Sequence, residues 1–168
     1  TKESENANMR HRPVGLGSMG WHDVFYALDI DYSSEEAVAL SDKIYENISY
    51  AAILGSSKLA KERGTYQTYK GSLWDQNILP IDTYKNLLKT RGKREKVETT
   101  LDWSIVRDHI KQHGMRNSNT MAIAPTATIS YICGCSQSIE PNFGVMFVYS
   151  TLSGEFAQIN EYFVEDIK

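Results

Sequence analysis

The stretch with the most chemical potential is residues 124–130, A-P-T-A-T-I-S. Thr126, Thr128 and Ser130 each carry a hydroxyl that can donate to an anion, and the small Ala127 lets backbone N–H groups approach the same ligand. A helix beginning there would aim its partial positive end at that spot, so an anion could be held without lysine or arginine. A plain helix cap has the same composition, and the residue types alone leave the two readings level.

Other groupings carry less. Residues 15–20, G-L-G-S-M-G, match the spacing of a dinucleotide-binding turn. That turn needs a strand before it and an acidic residue about 20 positions on, at a strand end. Here the preceding residues are Met9 to Pro13, charged and closed by proline, and Glu35 and Glu36 fall in the first turn of a helix. Close backbone packing is the better reading of these glycines. Cys133-Gly134-Cys135 lacks a second ligand pair for zinc and the two-residue spacer of a redox dithiol, which favours small buried residues in a tight turn. His109 and His113 stand four apart without the glutamate of a metalloprotease motif, favouring a solvated or capping role. Residues 116–119, R-N-S-N, read as side chains bonding backbone, with Asn117 and Asn119 near a ligand as the alternative. Glu140 has no partner acid or histidine at a telling spacing and reads as structural, as do Tyr131, Tyr149 and Tyr162.

The elements that must position these groups follow from periodicity and punctuation. Ser33 and Glu36 form an S-x-x-E box that opens a long helix, with Leu40, Ile44, Ile48, Ala51, Ala52 and Leu59 at helical spacing and Gly64 as its stop. Residues 20–28 predict a shorter helix with Trp21, Val24, Phe25 and Leu28 inward. Pro80 and Asp82 introduce a short helix across Thr83 to Thr90, and Asp102 caps another that ends at Gly114. Residues 120–124, T-M-A-I-A, suit a buried strand stopped by Pro125. Val145 to Thr151 predicts a strand, Ser153-Gly154 a turn into a second near 155–158, and residues 160–168 a final helix. The pattern is mixed α/β, with too few strands to close a sheet within this chain.

Composition narrows the classes. Apolar residues at 41% and charged residues at 23% fit a globular chain rather than a disordered one. A net charge of −3 offers no basic field for nucleic acid. The one basic run, Lys89 to Lys96 (KTRGKREK), lacks the aromatics needed for base stacking and reads as a solvated helix end. No stretch approaches the ~20 apolar residues of a membrane span, and residues 1–12 lack the apolar core of a secretory signal. Two cysteines suit a reducing compartment. These features predict a cytoplasmic chain that binds neither DNA nor RNA and no membrane.

Arg12 to Gly20 (RPVGLGSMG), Leu59 to Gly64 (LAKERG), Ile78 to Tyr84 (ILPIDTY), Gly114 to Ser130 (GMRNSNTMAIAPTATIS) and Ser138 to Pro141 (SIEP) follow one another in a characteristic order. Together they resemble the large catalytic subunit of class I ribonucleoside-diphosphate reductases, in the second half of its barrel. The resemblance implies a ten-stranded α/β barrel, incomplete here. Residues 1–168 would be a portion of the catalytic barrel domain, without the N-terminal allosteric domain and the first barrel half. It implies that Pro125, Thr126, Ala127, Thr128 and Ile129, with Ser130 adjoining, hold the substrate diphosphate.

The family reduces ribonucleoside diphosphates to 2′-deoxyribonucleoside diphosphates. The resemblance therefore implies a large-subunit homodimer, a small metal-containing radical-generating subunit, a thiol reductant such as thioredoxin or glutaredoxin, and ATP or dNTP effectors bound outside this chain. The family's radical and redox cysteines lie outside the matching segments. Cys133 and Cys135 do not occupy their positions, so no catalytic residue and no metal ligand is expected here. Two other readings are carried along: a split-gene subunit that docks on a separate N-terminal half and is inactive alone, and a free-standing anion-binding domain.

Overall fold

The computed structural model describes residues 1–93 and 97–168, without the side chains of Tyr149 and Thr151. Residues 94–96 of the basic run therefore lie outside the described residues. The elements are α1 (Lys2–His11), α2 (Trp21–Ala27), α3 (Glu35–Arg63), α4 (Pro80–Thr90), α5 (Trp103–His113), α6 (Ile129–Cys133), β1 (Met146–Thr151), β2 (Gly154–Ile159) and α7 (Glu161–Asp166). Two compact units emerge, one of residues 1–16 and 41–122, the other of residues 17–40 and 123–168.

The first unit is helical around a core of Ile53, Tyr66, Leu79, Val106, Ile110 and Met115. Its punctuation follows the sequence. Pro80 occupies the first turn of α4, where a missing N–H costs nothing, and the Asp82 carboxylate accepts the Leu79 N–H at 2.9 Å. Asp102 caps α5 by accepting the Ser104 N–H at 3.0 Å. Gly114 ends α5 at φ 72°, where an added Cβ would lie 2.4 Å from the Thr65 methyl, so only glycine fits.

Two expectations change, and one helix is new. The long helix is capped by Ser34, which accepts the Ala37 N–H at 3.1 Å, while Ser33 instead bonds the Asp31 carboxylate. Its buried residues include Ile53, Ser56, Ser57 and Ala60, whereas Leu59 is exposed. Polar residues enter this face because each serine finds partners. Ser56 donates to Asn117 Oδ1 at 2.9 Å, and Ser57 donates to the Gly114 carbonyl at 2.8 Å. Finally, α1 has no apolar stripe and no buried residue. It forms from a Thr1 cap, acids in its first turn and bases in its last, a pattern complementary to the helix dipole.

The expected strand at residues 120–124 is reduced to one parallel bridge, Leu16 with Met121, and residues 122–125 are exposed. The bridge is made by the Leu16 N–H on the Thr120 carbonyl and the Ala122 N–H on the Leu16 carbonyl. A strand extends only where neighbours accept its remaining N–H and C=O groups, and none of the described residues does so. Gly15 lets this pairing close, since an added Cβ would lie 2.9 Å from the Ala122 Cβ. The glycine motif thus serves backbone approach, as its composition predicts.

In the second unit, α2 buries Trp21 and Phe25 but leaves Val24 and Leu28 exposed, a narrower inward face than the spacing predicts. The hairpin forms as expected, β1 pairing antiparallel with β2 from Met146↔Ile159 to Thr151↔Gly154. Its two-residue loop is Leu152-Ser153, one position before the expected turn. Met146, Val148, Phe156 and Ile159 remain exposed on it. Asn160 caps α7 by accepting the Tyr162 and Phe163 N–H groups.

Candidate functional site

The hydroxyl-rich loop sits before α6, with Thr128 at the N-cap. Pro125, Ala127, Thr128 and Ile129 are exposed, Thr126 is half-buried and Ser130 is buried. Two bonds fix the loop. The Ser130 N–H donates to the Thr126 carbonyl at 2.9 Å, and the Ser138 N–H donates to Thr126 Oγ1 at 2.7 Å. Thr126 is therefore held by both its carbonyl and its hydroxyl. With one lone pair engaged, its O–H proton is still available to a ligand.

The other groups of the loop are uncommitted. Thr128 makes no side-chain cap bond. The N–H groups of Ala127, Thr128 and Ile129 find no acceptor among the described residues. First-turn N–H groups lack intrahelical partners by construction, so they take a cap, water or a ligand. Three successive donors and a spare hydroxyl on an exposed surface are suited to binding an anion's oxygens. Ser130 is set apart by its burial and belongs to the framework rather than to the exposed donor set.

Beside the loop lies a half-open cavity of about 630 Å³, lined in part by Asp23, Ser130, Tyr131, Cys135, Asn142 and Tyr162. The Tyr162 ring stacks on Tyr26 at 5.2 Å between centroids. His22 stacks on Tyr26, and its Nδ1 accepts the Asn142 N–H at 2.7 Å, so that nitrogen is unprotonated. Burial holds the His22 imidazole below its ordinary value, against the upward pull of Asp23.

Cys133 and Cys135 flank Gly134, which ends α6 in the left-handed conformation at φ 67°. That is the tight turn expected of them, but the expected burial is not met: Cys133 is exposed and Cys135 half-buried. Burial, then Asp23 and Cys133, push the Cys135 thiol up, which disfavours the reactive thiolate.

Arg116 and Asn117 bond backbone. Asn117 donates to the Arg12 carbonyl at 2.9 Å, and Arg116 donates to the Arg63 and Gly64 carbonyls. These side chains stitch backbone together, as one of their two readings requires. His109 differs from expectation: its Nδ1 lies 2.7 Å from Ser57 Oγ. Because the Ser57 proton goes to the Gly114 carbonyl, His109 Nδ1 carries the hydrogen and donates it. Burial, then His113, Lys61 and Lys58, keep this imidazole below its ordinary value. Among the described residues no three His, Cys, Asp or Glu side chains are grouped to hold a metal ion. No helix among them is long and apolar enough to cross a membrane.

Sequence reading missed Asp23, Ser136 and Ser138. Asp23 and Ser136 lie 113 positions apart, and no local pattern links them.

Comparison with known proteins shows the family of the chain. The family model described as ribonucleotide reductase, barrel domain, matches residues 1–168. The chain is 54% identical over 171 aligned residues to the ribonucleoside-diphosphate reductase subunit alpha of Chlamydia pneumoniae, covering 100% of this chain and 16% of that protein. It is 39% identical over 166 residues to the ribonucleoside-diphosphate reductase large chain of Neurospora crassa, covering 99% of this chain and 17% of the relative. It is likewise 39% identical over 167 residues to the large subunit of Danio rerio, covering 99% and 20%. The chain thus spans between 16% and 20% of the length of these three curated relatives.

Proposed function

The chain belongs to the ribonucleotide reductase barrel-domain family, and from that premise we propose that it is the diphosphate-binding part of a ribonucleoside-diphosphate reductase large subunit. The complete protein reduces ribonucleoside diphosphates to 2′-deoxyribonucleoside diphosphates. Residues 1–168 contribute to a ten-stranded α/β barrel, and the single parallel bridge between Leu16 and Met121 is where two of its strands meet. The radical and redox thiols lie on other parts of the protein. The complete large subunit works as a cytoplasmic homodimer with a small metal-containing radical-generating subunit. Thioredoxin or glutaredoxin supplies reducing equivalents, and ATP or dNTP effectors act at a separate domain.

The observation that carries the local assignment is that, among the described residues, the N–H groups of Ala127, Thr128 and Ile129 and the Thr128 hydroxyl have no partner. A diphosphate presents oxygens that such donors satisfy without a protein cation. Pro125 closes the preceding segment, Ala127 leaves room for the anion, and Thr126 is fixed so that its hydroxyl proton adds a further donor. Ser130 stands behind them, its N–H on the Thr126 carbonyl.

The test is Thr128→Ala in the complete large subunit, assayed with its partner subunit. Loss of one hydrogen bond worth about 0.5–1.5 kcal/mol raises KM for the ribonucleoside diphosphate roughly two- to tenfold. An unchanged KM and kcat would remove this loop from the substrate site.

A further inference from the structure

Among the described residues no charged side chain bonds the loop of residues 125–129, yet one carboxylate holds the segment that anchors it. Asp23 stands in the first turn of α2, and its Oδ2 accepts the Ser136 N–H at 2.6 Å. The Asp23 N–H donates back to Ser136 Oγ at 3.4 Å, closing a reciprocal pair. Two more donors of the same turn grip the same segment: the Gly20 N–H reaches the Ser136 carbonyl at 2.9 Å, and the Trp21 N–H reaches the Ser138 carbonyl at 3.5 Å. Ser136 and Ser138 are both buried.

This arrangement leaves the Ser138 N–H with one direction to point. Ser138 is held at φ 44°, a left-handed conformation that non-glycine residues adopt only when their surroundings impose it. In that conformation it donates to Thr126 Oγ1 at 2.7 Å. Gly20, which donates to this segment, lies at φ 82°, a conformation that favours glycine. Two hydrogen bonds, joined by the covalent backbone of residues 136–138, thus link the Asp23 carboxylate to the Thr126 hydroxyl.

We propose that Asp23 is a positioning residue for substrate binding, setting the loop of residues 125–129 through Ser136, Ser138 and Thr126. It does not touch the diphosphate. A carboxylate facing the phosphate directly would repel it, whereas at the far end of this link the same charge strengthens the Ser136 bond and orients Thr126. The proposal rests on the reading of the loop as the diphosphate site, and it assigns the loop's geometry to a residue about a hundred positions upstream.

The test compares Asp23→Ala, Asp23→Asn, Thr126→Val and the Asp23→Ala/Thr126→Val double variant in the complete large subunit with its partner. Asp23→Ala is expected to raise KM for the ribonucleoside diphosphate about three- to tenfold, with the effect on KM rather than kcat. Asp23→Asn keeps an acceptor for the Ser136 N–H and packs almost identically, so it should recover much of the affinity. The double variant should be little worse than the poorer single one, because both act along one link. Additive losses, or a lowered melting temperature with KM unchanged in Asp23→Ala and Asp23→Asn, would overturn the positioning role. Thr128→Ala separates this from the loop assignment. If that variant raises KM while Asp23→Ala and Asp23→Asn do not, the loop stands and the positioning role fails. If none of them moves KM, the loop assignment itself fails and the positioning role with it.

Discussion

Glu46 offers the most quantitative check on this structure. Its carboxylate lies in the middle of α3 and gathers the segment leading into α5. Oε1 and Oε2 each accept the Thr100 N–H at 2.9 Å, Oε2 accepts the Thr100 hydroxyl at 2.5 Å, and Oε1 also accepts the Leu101 N–H at 3.2 Å and the Trp103 indole at 2.9 Å. Burial pushes the Glu46 carboxyl up, but the bonds from Thr100, Trp103 and Leu101 outweigh it and bring it from an ordinary 4.5 to about 2. At face value that shift is worth about 3 kcal/mol, and solvent access at the site reduces it to about 1–2 kcal/mol. Glu46→Gln keeps the shape, loses the charge and turns an amide toward N–H and O–H donors. Hydrogen exchange in peptides spanning residues 97–110 of the complete protein should therefore quicken about five- to thirtyfold at pH 7. The pH dependence has a definite sign. A carboxyl lowered on folding stabilises above its unfolded value, so the wild-type advantage is full above about pH 4.5 and fades as pH falls toward 2. Equal exchange in the two proteins at pH 7, or an advantage that grows on acidification, would refute the reasoning.

Three further substitutions probe separate claims. Gly114→Ala places a Cβ 2.4 Å from the Thr65 methyl at φ 72° and should cost about 3 kcal/mol or more, read as a fall in thermal stability. Ser57→Ala strands the His109 Nδ1–H and the Gly114 carbonyl, with an expected loss of about 1–3 kcal/mol in the same assay. Gly15→Val should force Leu16 from Met121 and speed exchange of the Leu16 and Ala122 amides, and Ala122→Gly in the same protein should restore part of the protection.

The helices legible in the sequence are those with local causes. Pro80 with Asp82, and Asp102 with Gly114, satisfy or terminate their own helices within a few residues, and both helices form where those residues place them. The hairpin is legible for the same reason, within one position at its turn. Elements whose formation depends on distant partners are not. The face of α3 is misjudged because Ser56 and Ser57 look polar until Asn117 and Gly114 arrive from later in the chain. Residues 120–124 have the composition of a strand, but composition supplies no neighbouring strand, and one bridge is all that pairs. α1 escapes because a helix without an apolar face has no periodicity to find.

The same distinction separates binding groups from structural ones. Residues 116–119 and 125–130 look alike on paper, both polar and both beside an apolar run. In the fold, Asn117 accepts from Ser56 and donates to the Arg12 carbonyl, and Arg116 donates to two further carbonyls. Their hydrogen-bonding capacity is spent within the chain, which makes them staples. Around residue 126 the balance is reversed. Thr126 is pinned, while the three N–H groups that follow it and the Thr128 hydroxyl have no protein partner among the described residues. An exposed loop gains little from fixing an anchor so firmly unless the donors beside it must meet something outside the chain. A protein that rigidifies one threonine and leaves its neighbours unsatisfied has lowered the ordering cost of an incoming ligand. That asymmetry, more than the hydroxyl content, is what supports the proposed site at Thr126 to Ile129, and the proposed role of Asp23 is to set that asymmetry from outside the site.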